Sequence, residues 1–569
     1  MVNEESIYKG LGRERKQLQE EGLIPEWYTT MGWQMFKEKY ATSEHPTIFD
    51  TYWRIANAAA KHMPSESRLE WCQKFFDLMW KGWLAPSTPV MANMGADRGC
   101  PVSCSGSVVG DSVYDFYESQ KEIAILSKNG FGTSSYLGGI RPRGASISSG
   151  GTASGVLPVF RDFVQLSRDI SQGATRRGAW AGYIEIDHDD FWEILNHVTA
   201  HPDDANIGWI VSDRFIHLLN SGDKGASERY QKALKLKMVT GKGYFFFVDK
   251  VNRANPQCYV DNNLKVKASQ LCTEITLFSD EDHTYTCVLS SMNLAKYDEW
   301  KETTAVFDAT VFLDCVAEEF ISIGMHERGL EKAVRYTKKA RSLGLGTLGF
   351  HTYLQQHMIP FESFDAHQKN IEIFSYMNKE SLEASQWMAE ELGEPEWCKG
   401  YGIRNTHRLA VAPNLSSALL CGGVSQGIEP VYKNVYIQST AAGEVDRINP
   451  VLMKIMRERG KFNTETLDSI VQNAGSVQDV EWLTEQEKDV FKTAFEIDQS
   501  AIIRLAASRQ RYIDQAQSIN LFFSADEDEE VISRVHQEAF ENEYIRSLYY
   551  IRSESGVKAS SGECIACEG

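Results

Sequence analysis

The order of apolar and polar positions divides the chain into two textures. The first is helical. Arg13 to Glu21 is charged and rich in helix formers, and Leu69, Cys72, Phe76 and Met79 recur along Ser67–Trp80 at the spacing of one helix face. Ser65 stands where an N-cap belongs, and Leu84-Ala85-Pro86-Ser87-Thr88-Pro89 breaks the pattern. From about 100 to 300, short apolar runs alternate with Gly- and Ser-rich loops. Ala145 to Gly155 is almost entirely small residues, whereas Tyr244-Phe245-Phe246-Phe247-Val248 predicts a short buried strand. Helical spacing returns at Ala309–Ile323, Asn370–Leu392 and Asp498–Ala507, and Ser518-Ile519-Asn520-Leu521-Phe522-Phe523 is strand-like. Alternation of this kind over about 450 residues predicts α/β layers built on parallel strands. No repeat of short period interrupts it.

Length leaves two architectures open: several average domains, or one large α/β barrel with helical additions in 569 residues. A hydrophobic share of 42% with 11% aromatics is ample for a large core. No apolar run approaches the roughly 18 residues of a membrane span. The N-terminus, Met1-Val2-Asn3-Glu4-Glu5, is acidic and is no signal peptide, so the expected location is the cytoplasm. A formal charge of −19 argues against an extended nucleic-acid surface, which needs clustered cations, but leaves room for a small nucleotide in a local basic pocket. Eleven cysteines in such a compartment are expected to be reduced and mostly buried. Cys72, Cys258, Cys315, Cys398 and Cys421 have no evident partner.

Candidate chemistry begins at the C-terminus. Cys564-Ile565-Ala566-Cys567 follows Ser553 to Ser561, a stretch with no apolar face to pack. Two thiols on such a tail read as an electron shuttle that reaches something oxidised in the body. Zinc is the other reading, but it takes about four ligands and no second Cys-x-x-Cys exists. Within the body, Ser269-Gln270-Leu271-Cys272-Thr273-Glu274-Ile275 would, if extended, put Gln270, Cys272 and Glu274 on one face. An amide, a thiol and a carboxylate there are either reactive or a solvated polar face with a chance cysteine. Cys104 and Cys287, fifteen residues beyond Cys272, add body thiols that a barrel could bring together. These thiols and the tail match one chemistry, reduction of a substrate C–OH with two electrons from protein thiols.

With these motifs the chain resembles the large, catalytic subunit of ribonucleotide reductase, most closely the class I enzymes of bacteria and their viruses. The resemblance runs from Pro86-Ser87-Thr88-Pro89 to the tail. It implies a ten-stranded α/β barrel with a central finger loop over 86–552, a helical region over 1–85 and a flexible redox-active tail over 553–569. Cys272 matches the fingertip cysteine that becomes a thiyl radical and takes hydrogen from C3′ of the ribose. Glu274 matches the general base on the 3′-hydroxyl. Cys104 and Cys287 match the pair that reduces C2′ and closes to a disulfide. Gln270 stands where the family usually has Asn; it is also an amide, one methylene longer, and is expected to hold a ribose hydroxyl.

The resemblance extends to ligands and partners. Ala412-Pro413-Asn414-Leu415-Ser416-Ser417 is similar to the loop that grips the substrate diphosphate, where free N–H groups and hydroxyls suit phosphate. Thr88 and Ser103 match other substrate contacts, and Gly427-Ile428-Glu429-Pro430 is a family marker. Asp111 and Arg141 match residues that bind the dNTP or ATP effector. Gln172 to Trp180, with Arg176 and Arg177, corresponds to the loop that relays effector identity to the substrate. The effector site lies across a two-fold interface in the family, so a homodimer is implied. Tyr549 and Tyr550 match the pair that passes the radical from a metal-containing small subunit; no metal or cofactor is expected in this chain. Adjacent strand residues face opposite ways, so stacking these rings requires a local bend. Fourteen residues separate Tyr550 from Cys564, about 46–50 Å fully stretched, enough to carry electrons from a thioredoxin- or glutaredoxin-type donor into the barrel.

No separate N-terminal domain sensing ATP against dATP is expected. The location implied is the cytoplasm, a host's if the chain is viral. Three other readings stay open: a class II reductase using adenosylcobalamin, a regulatory nucleotide-binding homologue, and a stand-alone dithiol oxidoreductase. The last lacks the thioredoxin-type βαβ setting.

Overall fold

A computed structural model describes residues 4–148, 150–170, 178–204, 206–440 and 443–553. The N-terminal region is helical: Glu4–Glu20, Thr30–Lys39, Ile48–Ala60 and Arg68–Trp80. In Arg68–Trp80 the buried face is Trp71, Cys72, Phe75, Phe76, Leu78 and Met79. Leu69 is 87% exposed, which corrects the predicted stripe, because Trp71 and Phe75 offer more apolar area to the core. Ser65 is not the cap; Ser67 holds that position, and Ser65 bonds Glu66. The Pro-rich segment does more than end a helix. Leu84–Pro86 pairs antiparallel with Tyr285–Asn293, and Pro89 stands in the first turn of helix Thr88–Asn93, where a missing N–H costs nothing.

The remainder closes into a barrel. Cys104–Val108, Gly132–Tyr136, Trp180–Glu185, Ile207–Val211 and Tyr244–Phe247 pair in parallel, in chain order. A second parallel set runs from Tyr285–Asn293 to Leu343–Leu348, then through bridges to Leu409 and from Val411 to Gln517. It finishes where Leu521–Phe523 pairs with Ile551–Ser553. The sets meet antiparallel at both ends: Cys104–Val108 lies against Tyr285–Asn293, and Tyr244–Phe247 against Ser547–Leu548. Five strand segments on each side make the expected ten-stranded α/β barrel. Helices such as Ala305–Gly324, Phe364–Leu392 and Gln499–Gln510 provide the long crossovers that parallel neighbours need. The strands are buried along their length, hence their continuous apolar runs. Space inside is tight: a Cβ on Gly344 would fall 2.9 Å from the Cys287 sulfur.

A loop enters the barrel between helix Gln257–Asp261 and strand Tyr285–Asn293. Its residues 268–277 are all buried, so its backbone polar groups require internal partners. The first strand set supplies Ser134 Oγ to the Ser269 carbonyl at 2.8 Å and Tyr183 OH to the Gln270 carbonyl at 2.6 Å. The second set supplies Ser518 Oγ to the Cys272 carbonyl at 2.5 Å and Ser547 Oγ to the Thr273 carbonyl at 3.1 Å. Held from both walls, this loop is the central finger.

Candidate active site

The fingertip is a turn, not the extended strand that alternation predicted. Thr273 N–H bonds the Gln270 carbonyl at 3.3 Å, and Thr273 takes a left-handed conformation, φ 71°. A β-branched residue there costs of order 1–3 kcal/mol and persists only where the surroundings impose it. The turn nonetheless brings Gln270, Cys272 and Glu274 to one cleft, because Gln270 folds back over the tip. Its Oε1 accepts from the Cys272 N–H at 2.6 Å, and its Nε2 donates to Glu274. Both ends of this amide are thus engaged within the finger. Ser518 Oγ donates to Glu274 Oε2 at 2.9 Å. Burial pushes the Glu274 carboxyl up to about 7, with the Ser518 and Gln270 hydrogen bonds opposing the shift. A carboxyl so placed exchanges a proton near neutral pH, as a general base must.

Cys104 and Cys287 are direct partners across the antiparallel seam of the barrel. Directly opposed residues in such a pair have Cα atoms about 4.5–5.5 Å apart, inside the 4.4–6.8 Å range of a disulfide. Both are free thiols and buried. Burial pushes the Cys287 thiol up, while Gln515, whose Nε2 lies 3.5 Å from its sulfur, works the other way. The cleft below the fingertip is lined by Cys104, Gln270, Cys272 and Glu274, with Ser87, Ser103, Gly132, Leu289, Ser290 and Ala412–Asn414 around them. It encloses about 30 Å³, room for about one water.

Behind the fingertip, Tyr549 OH approaches the Cys272 sulfur at 3.5 Å. The Tyr549 and Tyr550 rings are 4.0 Å apart, and the strand is interrupted at these two residues, the bend that contact required. Tyr244, from the strand read only as core, packs against both rings, at 4.9 and 5.6 Å.

Other predicted residues are less central. Pro413 and Asn414 line the cleft; Ser416 and Ser417 are buried in helix Leu415–Leu420, and Leu415 packs on the apolar cluster beneath. Asn414 caps that helix in a left-handed conformation, φ 62°. Thr88 pairs with Tyr40 OH at 3.0 Å, while Ser103 bonds Ser87 at 3.0 Å, so Ser87, which was not singled out, faces the cleft. Gln515 and Ser518 were likewise missed; nothing in their sequence marks them, since their role depends on which strand the finger meets. Asp111 and Arg141 are brought together, Arg141 Nε lying 2.6 Å from Asp111 Oδ2. Arg176, Arg177, Cys564 and Cys567 lie outside the described residues.

Two other features lie apart from this cleft. His197, His201 and Asp204 are clustered at metal-ligand spacing, but Asp204 already pairs with Arg168. An open groove of about 660 Å³ between helices Phe364–Leu392 and Gln499–Gln510 contains none of the thiols. Unlike the other unassigned cysteines, Cys258 and Cys398 are electrostatic neighbours, each the leading influence on the other's thiol, Cys258 lowered and Cys398 raised.

Comparison with known proteins identifies the family and the fold. The ribonucleotide reductase barrel domain matches residues 102–227, 225–400 and 395–551, and the ribonucleotide reductase all-alpha domain matches 26–99. A candidate ribonucleoside-diphosphate reductase large subunit of Frog virus 3 (isolate Goorha) is 34% identical, covering 89% of this chain and 94% of its own. A vitamin B12-dependent ribonucleoside-diphosphate reductase of Thermoplasma acidophilum is 29% identical, over 82% of this chain and 63% of its own. The solved class Id ribonucleotide reductase alpha subunit of Actinobacillus ureae superposes with a TM-score of 0.86 and 38% identity, over 94% of this chain and 99% of that one. No described helix is long and apolar enough to cross a membrane. The chain belongs to the ribonucleoside-diphosphate reductase large-subunit family, enzymes of deoxyribonucleotide synthesis.

Proposed function

We propose that this chain is the catalytic subunit of a class I enzyme that reduces ribonucleoside diphosphates through a thiyl radical on Cys272. The observation that carries the reading is the fingertip sulfur, with Tyr549 OH behind it and Cys104 and Glu274 beside it in the same cleft. A small subunit supplies the oxidising equivalent; Tyr550 and Tyr549 pass it to Cys272, whose S–H gives up one hydrogen atom. The thiyl takes hydrogen from C3′ while Glu274 accepts the 3′-hydroxyl proton. The C2′–OH leaves as water. Cys104 and Cys287 supply two electrons and two protons and become a disulfide, and the hydrogen returns from Cys272 to C3′. Net, one diphosphate and one dithiol give one deoxy-diphosphate, one disulfide and water.

The tail thiols Cys564 and Cys567 then exchange with that disulfide and are re-reduced by a thioredoxin- or glutaredoxin-type donor. The diphosphate rests on Pro413–Ser417 with Thr88 and Ser103 nearby, and its entry widens the cleft. Effector nucleotides bind at Asp111 and Arg141, with Arg176 and Arg177 relaying their identity. Val113, Tyr114 and Tyr117, exposed on the helix that follows Asp111, suit a two-fold contact at that site.

The deciding experiment is reduction of a ribonucleoside diphosphate with and without the candidate small subunit; no product with it rejects the proposal. The Thermoplasma relative keeps a second reading in view, radical generation by adenosylcobalamin. Turnover with that cofactor and no second protein would establish it.

A further inference from the structure

The peptide bond between the two tyrosines is gripped from both sides by side chains. Ser547 and Leu548 sit in register with Phe246 and Phe245, and Ile551–Ser553 with Leu521–Phe523. Tyr549 N–H bonds the Ile519 carbonyl at 2.8 Å, and the Tyr550 carbonyl accepts from Leu521 N–H at 3.0 Å. Between these ladder bonds, the Tyr549 carbonyl accepts from the Lys237 ammonium, and Tyr550 N–H donates to Asn520 Oδ1 at 3.1 Å. Asn520 is in turn fixed through its Nδ2 on Glu429. The helix bearing Lys237 also holds the next residue, since Ile551 N–H bonds the Gly241 carbonyl at 3.0 Å.

Lys237 is an expensive residue to place here. Its side chain is fully buried, and among the described residues no carboxylate forms an ion pair with it. Burying an ammonium without a counter-charge is unfavourable, and burial pushes this one down to about 7. An apolar side chain would fill the space without that cost; what the lysine adds is a donor at the Tyr549 carbonyl and a charge 6.0 Å from the Tyr244 and Phe245 rings. That bond has a geometric consequence. Consecutive residues of a regular strand point to opposite faces, yet these rings touch at 4.0 Å, with the Tyr549 hydroxyl at the Cys272 sulfur.

We propose that Lys237 and Asn520 are positioning residues that clamp the Tyr549–Tyr550 peptide out of regular strand geometry and so keep the two rings in contact. The inference rests on the radical-transfer reading above. Neither residue touches substrate; both act through the backbone between the rings. A displacement of about 1 Å between reacting groups costs of order 10²-fold in rate, which sets the expected effect.

The test uses the full chain with its small subunit. Wild type must first reduce a ribonucleoside diphosphate; if it does not, the radical-transfer reading itself has failed, before any variant is measured. Lys237→Met removes the donor at similar volume, Lys237→Gln keeps an uncharged donor, and Asn520→Ala releases the other side. Lys250→Met is the control for loss of a buried lysine, since Lys250 caps the carbonyls of Ala539, Phe540 and Asn542 away from the tyrosines. Expected are a fall in kcat of about 10²-fold for Lys237→Met with unchanged KM for the diphosphate, substantial recovery in Lys237→Gln, and unchanged kcat in Lys250→Met at a comparable loss of Tm. Asn520→Ala shows the same split and decides the matter should Lys237→Met fail to fold. Wild-type kcat in Lys237→Met or Asn520→Ala, equal losses in Lys237→Met and Lys250→Met, or no recovery in Lys237→Gln overturns the clamp.

Discussion

Replacing Glu274 by Gln should make the protein more stable and much less active. Burial raises this carboxyl from 4.5 to about 7, so the folded state binds its proton more tightly than the unfolded chain does. Stability contributed by the protonated form is therefore complete below pH 4.5 and is lost as pH rises through the folded value near 7. At about 1.36 kcal/mol per pH unit over that window, the loss at pH 8 is of order 3 kcal/mol. Gln is neutral throughout and of nearly the same shape. The variant should match wild type near pH 4 and exceed it by about 1–3 kcal/mol at pH 8, the lower figure allowing for the amide facing the Gln270 and Ser518 donors. Denaturant unfolding of both proteins across pH 4–8 reads this directly. Activity should move the other way: without a base on the 3′-hydroxyl, turnover falls about 10²–10⁴-fold, and wild-type activity should climb as pH passes through about 7. A stability difference that stays flat from pH 4 to 8, or a variant with near-native turnover, would refute the assignment of Glu274 as a buried, proton-accepting group.

Tyr549→Phe keeps the packing but removes the hydroxyl 3.5 Å from the Cys272 sulfur; turnover should drop below about 1% while calorimetry finds diphosphate affinity unchanged. Cys104→Ser leaves Cys287 without its cross-strand partner, so thiol titration after mixing with substrate and small subunit should detect no disulfide between body cysteines, against one in wild type. Ser at Cys564 or Cys567 should abolish turnover driven by a thioredoxin-type protein but spare turnover driven by a small dithiol. Equal loss with both donors would rule out the tail as a shuttle.

Much of this protein is written locally. The helical spacing of the first eighty residues, the apolar runs of the strands and the small-residue loops follow from side-chain size and polarity alone; the thiols are marked by residue type, whereas Glu274 and the tyrosine pair gain a role only through the family resemblance. Three decisions belong to the tertiary structure. Alternation put Gln270, Cys272 and Glu274 on one extended face, yet they meet because hydrogen bonds from both walls fold the finger into a left-handed turn at Thr273. Cys104 and Cys287 become partners only when the two parallel strand sets close antiparallel on one another, a pairing across 183 positions that no local pattern encodes. The tyrosine rings touch at a peptide whose carbonyl accepts from Lys237, a residue more than three hundred positions earlier. In each case the deciding partner is distant in sequence, and a chain's local preferences carry no information about which distant donor will arrive.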